Sequence, residues 1–154
     1  MTAATKRKLI NRYYLAFNAR DTDAMLDLLG PGFVRDVSQG DRRRGKKKFA
    51  EFLTHMHTCY HEHLTDVVVM SSTDGTRAAA DFRLKGRYLS TDEGLPPATS
   101  QTYKLMVGAF FDVRDGRITR VSTHYSLPEW TRQDSLPEWT RQDSLPEWIR
   151  QVVG

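Results

Sequence analysis

The chain has 154 residues, 39% hydrophobic and 27% charged, with a formal charge of +4, which suits one ordinary globular domain with a substantial core. Cys59 is the only cysteine, so an intrachain disulfide and a cysteine metal cluster are both excluded, and a buried inert thiol is expected. No apolar run approaches the roughly 18 residues that span a membrane. The basic start, Met1 to Lys8, leads into an amphipathic segment and not into a signal-type apolar core, so a cytoplasmic location is expected.

Leu9, Tyr13, Ala16 and Phe17 recur at helical spacing and predict a helix over residues 5–18. Asn18-Ala19-Arg20-Asp21 ends it, and Thr22 or Asp23 caps a shorter helix with Met25, Leu28 and Leu29 inward. Gly30-Pro31-Gly32 stops that helix, and Phe33-Val34-Arg35-Asp36-Val37 reads as a strand closed by Gly40. An acid beside valines on such a strand is either solvated or aimed into an apolar interior, where its pKa rises and it becomes a proton-transfer group. Arg42 to Lys48 holds six cations in seven residues. It reads as a solvated loop running into a helix, or as a steering patch for a small anion. The absence of interleaved aromatics argues against a nucleic-acid partner.

A third helix is predicted over about 45–60, with Phe49, Phe52, Leu53, Met56 and Tyr60 on one side. Beyond it the period becomes two. Leu64–Met70, Arg77–Leu89, Thr99–Val113 and Ile118–Tyr125 read as strands, the last two joined as a hairpin through Arg114-Asp115-Gly116-Arg117. Helices first and antiparallel strands after them predict an α+β fold, with the helices covering one face of a bent sheet. His57 and His61 stand four apart, but Tyr60-His61-Glu62-His63 reads as the exit from the helix, so no metal site is expected.

The last 29 residues differ in kind. SLPEWTRQD occupies 126–134, recurs unchanged over 135–143, and a third copy reads SLPEWIRQVVG. Each copy offers a capping box with proline in the first turn. Identity this complete points to a recent duplication or an engineered insertion. The chain therefore divides into a domain over 1–125 and a tail over 126–154, whose extra Trp130 and Trp139 suggest self-association.

Arg12-Tyr13-Tyr14-Leu15-Ala16-Phe17-Asn18-Ala19-Arg20-Asp21, Phe33-Val34-Arg35-Asp36, Gly45-Lys46-Lys47-Lys48-Phe49 and Phe110-Phe111-Asp112-Val113-Arg114-Asp115-Gly116-Arg117-Ile118 together resemble the nuclear transport factor 2-like superfamily, and within it the ketosteroid isomerase-related, SnoaL-like proteins. The resemblance implies a cone-shaped fold, three helices on a curved, mostly antiparallel sheet. It also implies cofactor-free proton transfer on a small hydrophobic carbonyl compound, with Asp36 as base and Tyr13 as oxyanion donor. Counted back from Gly116, the second oxyanion donor falls on Gly108, which offers no side chain, and Lys104 is the nearest polar substitute on that strand face. The same register puts Met106, Phe110, Val121, Thr123 and Tyr125 on the pocket side. Phe17, Phe33, Phe52 and Met56 complete an apolar lining, and His57 is the candidate acid–base partner at its mouth.

Two other functions fit the same residues. One is a non-catalytic domain that binds small molecules or dimerises. The other is a polyketide-cyclase-like or epoxide-hydrolase-like activity, the latter calling for an acid pair such as Asp36 with Asp81. A homodimer is implied through the outer sheet face, where Tyr103, Leu105, Val107, Ala109 and Phe111 supply an apolar strip.

Overall fold

The computed structural model describes residues 2–36, 41–93 and 97–125. The tail repeats lie outside the described residues. Helix α1 (Ala3–Asn18) starts at Thr2, whose hydroxyl accepts the Thr5 N–H at 3.1 Å, and α2 (Thr22–Asp27) starts at Asp21, whose carboxylate accepts from Ala24 at 3.0 Å. Strand β1 (Leu29–Asp36) begins directly after α2 and includes the Gly-Pro-Gly segment. The basic run forms a short strand, β2 (Arg42–Arg44), before α3 (Lys46–Cys59). Strands β3 (Tyr60–Ser71), β4 (Arg77–Tyr88), β5 (Thr102–Arg114) and β6 (Arg117–Tyr125) follow.

The six strands form one sheet in the order β2-β1-β6-β5-β4-β3. Every neighbouring pair is antiparallel except β1 with β6. The helices cover the inner face of this curved sheet, and α1 packs on β3 and β4. The core lies between the two layers, where Ile10, Met25, Leu29, Phe111 and Ile118 are excluded from solvent. This is the expected α+β architecture. Among the described residues no helix is long and apolar enough to cross a membrane.

One local feature sets which side chains face inward. Asp115 and Gly116, with φ of 50° and 75°, form the two-residue turn between β5 and β6. A regular ladder starting from the Arg114↔Arg117 pair would set Phe110 opposite Val121. The pairing instead shifts between Val113↔Ile118 and Asp112↔Arg120, so a bulge on β6 sets Phe111 opposite Val121. Residues paired across strands share a face, so a one-residue shift exchanges the two faces of β5.

The strip Tyr103, Leu105, Val107, Ala109 and Phe111, expected on the outer face, is accordingly buried under the helices. Met106 and Phe110, expected inward, are about half exposed on the other face, and Lys104 is exposed there too. The outer face still carries an apolar patch, now built from Val68, Met70, Met106 and Phe110, with His124 edge-on to the Phe110 ring.

Candidate functional site

Between the helices and the sheet opens a cavity of about 130 Å³. Phe17, Phe52 and Met56 supply apolar wall from the helices, and Leu84, Val107 and Val121 supply it from the sheet. Into this apolar space the fold brings a few polar groups: the side chains of Tyr13, Arg35, His57, Glu62 and Tyr125 all belong to the lining.

Glu62 is the acid that the cavity encloses. Strand β3 starts as soon as α3 ends, and its alternation turns Tyr60, Glu62 and Leu64 inward. Burial pushes the Glu62 carboxyl up to about 7, only partly opposed by the Tyr103 hydroxyl, which donates to it at 2.8 Å. Gly86 makes that bond possible. Glu62, Gly86 and Tyr103 sit side by side across β3, β4 and β5, and the Tyr103 ring lies over the glycine, where a Cβ would stand 2.1 Å from the ring. Only glycine leaves room for the tyrosine to span the intervening strand.

Arg35 is the cation of the same cavity. On β1 it pairs with inward-facing Val121 of β6, which turns its side chain toward the helices. The guanidinium carbon lies 3.7 Å from the centroid of the Phe52 ring, a cation–π contact, and its buried Nε has no hydrogen-bond partner. Burial lowers its pKa to about 10, although the neighbouring Tyr13 hydroxyl works in the other direction. Burial pushes the Tyr13 hydroxyl well above the ordinary tyrosine value, so it stays protonated as a hydrogen-bond donor.

Asp36, the residue after Arg35, takes the other direction. It borders the cavity, but its carboxylate receives both Nε (2.6 Å) and an Nη (2.9 Å) of Arg42, with Arg120 at 3.4 Å. The Arg42 hydrogen bonds, in first place, hold its pKa below the usual carboxylate value. Asp36 thus lines the cavity, but an acid so stabilised as the anion is a weak base, and the β1–β6 register pairs Arg35, the residue before it, with inward-facing Val121.

The other expected lining residues divide. Phe17, Phe52, Met56, His57, Val121, Thr123 and Tyr125 line the cavity as expected. Phe33 is buried behind the wall, its ring 5.2 Å from that of Phe49. Lys104, Met106 and Phe110 lie across the sheet, so the missing side chain at Gly108 has no bearing on the cavity. Asp81 is exposed and forms no acid pair in the cavity. His57 is turned toward the cavity, where burial and then the Arg20 charge depress its pKa. Arg20 itself clamps the end of α3, donating to the carbonyls of His57 (2.7 Å) and Tyr60 (3.3 Å).

Sequence reasoning passed over Glu62 and Arg35. The signal for both was the period of two. Extended back from Leu64 it reaches Glu62, and extended forward from Phe33 it reaches Arg35.

Three solved structures share this architecture at high identity. One, a candidate polyketide cyclase from Xanthomonas campestris pv. campestris, is 48% identical, covers 83% of this chain and 95% of its own, and superposes with a TM-score of 0.80. A second, from Pseudomonas putida KT2440, is 50% identical over 86% of this chain and 98% of its own, with a TM-score of 0.79. A third, from Silicibacter sp., is 50% identical over 86% and 97%, with a TM-score of 0.80. Both carry the same description as the first. No curated protein matches the chain. The model of the SnoaL-like domain matches residues 10–121, the span that runs from within the first helix into the last strand and supplies nearly all of the cavity wall; this chain belongs to the SnoaL-like domain family.

Proposed function

We propose that this protein is a cofactor-free acid–base catalyst acting at the α-carbon of a small, largely apolar carbonyl compound, in the manner an intramolecular aldol cyclisation requires. The observation that carries the reading is a half-buried carboxyl, raised by its surroundings to about 7, in the same cavity as a half-buried guanidinium whose Nε is buried and unpartnered. A base that titrates near the working pH is matched to proton transfer in both directions. Ionised Glu62 takes the α-proton, and the charge that develops on the carbonyl oxygen is met by Arg35 and the Tyr13 hydroxyl. The carbanion closes on a second carbonyl of the same molecule, and protonated Glu62 returns its proton to the resulting alkoxide. The identity of about half the residues with candidate polyketide cyclases supports this choice over steroid isomerisation.

The test is α-proton exchange of an aryl methyl ketone such as acetophenone in D2O, followed by proton NMR. The full chain is expected to accelerate exchange, and Asp36→Asn to keep the rate within about threefold, because its carboxylate is occupied by Arg42 and Arg120. The substitution should cost under about 1 kcal/mol in stability, as for other solvent-accessible ion pairs. A dead Asp36→Asn variant would return the base to that position. Thermal stabilisation by the ketone without exchange would instead favour a binding domain.

The outer face supports a second copy of the chain as partner. Val68, Met70 and Phe110 are each at least half exposed, and such a cluster seeks cover. Light scattering is expected to give the mass of a dimer, and Phe110→Lys together with Met70→Lys to give a monomer. A monomeric wild-type chain sinks this arrangement.

A further inference from the structure

The end of α3 and the segment after β4 bring together three side chains that the cavity chemistry leaves unused. His55 and Cys59 stand one turn apart on α3, and Asp92 comes from the connection between β4 and β5. One ring nitrogen, the thiol sulfur and one carboxylate oxygen all lie within 4.8 Å of one another. Cys59 and Asp92 are buried, Asp92 to 2% exposure, while the His55 side chain is 44% exposed.

The surroundings hold Asp92 in place without exhausting its carboxylate. Its N–H donates to the Tyr88 hydroxyl at 2.8 Å, and the neighbouring Leu89 N–H donates to the Cys59 carbonyl at 2.7 Å. The Tyr60 hydroxyl donates to Oδ2 at 3.1 Å. His55 Nε2 stands 3.1 Å from each carboxylate oxygen, yet Oδ1 accepts no hydrogen bond. The His55 contact to Oδ1 lacks hydrogen-bond geometry, so this buried oxygen keeps a lone pair that a cation beside it would use.

We infer that His55, Cys59 and Asp92 form a binding site for a zinc-type divalent cation. Imidazole, thiolate and carboxylate are the ligand types such an ion takes, and one thiolate with one carboxylate balances a double positive charge. Ligand atoms around such an ion lie about 3.3–3.8 Å apart; the imidazole and carboxylate already stand 3.1 Å apart, so the thiol needs to approach by up to about 1 Å. The exposed side of His55 leaves room for water as a fourth ligand. Tyr60 plays the part of the outer partner that orients a ligating carboxylate, while the Tyr88 hydroxyl holds the Asp92 backbone N–H. The ion braces the end of α3 against the β4–β5 connection, beside the cavity that Tyr60 also lines.

Cobalt(II) titration of the full-length chain tests the inference, because Cys59 is the only thiol and any thiolate-to-cobalt charge-transfer band must come from it. The expected result is a band that saturates at one equivalent and is displaced by zinc. His55→Ala and Asp92→Asn are each expected to weaken half-saturation by tenfold or more, with circular dichroism confirming that both variants are folded. No band in the wild-type chain, or undiminished affinity in either folded variant, overturns the site.

Discussion

Glu62→Gln is expected to abolish α-proton exchange and to change how stability depends on pH. Loss of a positioned general base costs about 10²- to 10⁴-fold in rate. The stability effect follows from the direction of the shift. A carboxyl raised from about 4.5 to about 7 in the folded state binds more protons folded than unfolded between those values. Its contribution is therefore fully present below the lower value and is lost as pH rises through 7. A shift of that size corresponds to on the order of 2 kcal/mol, once the partial exposure of the residue is allowed for. Urea denaturation at pH 5 and pH 8 should show the wild-type chain losing about that much more than Glu62→Gln. Parallel profiles for the two proteins would mean that Glu62 is not held protonated by its surroundings.

Arg35→Met is expected to separate stability from function. The guanidinium is buried on the Phe52 ring with an unpartnered Nε, so it has been stripped of water without full repayment. Methionine fills similar length and keeps the contact with the ring, so the variant should be as stable as the wild-type chain or more stable. Binding should suffer. A hydrogen bond from a charged donor contributes about 1.5–3 kcal/mol, so affinity for a carbonyl or carboxylate ligand should fall about 10- to 150-fold. Calorimetry with an aryl carboxylate as probe reads this directly. Unchanged affinity in a folded Arg35→Met protein would remove Arg35 from the site.

The two variants bear on different halves of the chemistry. Glu62 reports on proton transfer and Arg35 on charge stabilisation, and both lie within the 10–121 span that marks the family. Tyr103 and Gly86 act one step removed: the glycine admits the ring, and the ring fixes the carboxyl.

Much of this was legible in the chain. Local chemistry determines the elements: the apolar stripe of α1, the Asp115-Gly116 turn and the alternation of β4 each have a cause within a few residues, whereas the cap of α2 is Asp21 and not the expected Thr22 or Asp23. The family resemblance, and not local pattern, pointed Phe17, Phe52, Met56, Val121 and Tyr125 to the cavity, and the same register misplaced Met106 and Phe110. Cys59, read as an inert thiol, is buried, but its neighbourhood with Asp92 arises from a contact 33 positions away that no local pattern shows.

What the sequence by itself determined is the α+β plan, because periodicity and turn chemistry act over short distances, while the family and an apolar cavity were implied by the resemblance of its motifs. Only the tertiary structure decided which charged residues enter that cavity. Whether β5 shows Phe110 or Phe111 to the helices depends on one bulge in β6, and whether β1 offers Asp36 or Arg35 depends on its pairing with the same strand. Side chains alternate with a period of two, so a single residue of register exchanges base for cation. That choice leaves Asp36, though it lines the cavity, bound to Arg42, and leaves Glu62 and Arg35 there as an acid and a cation outside any such ion pair among the described residues.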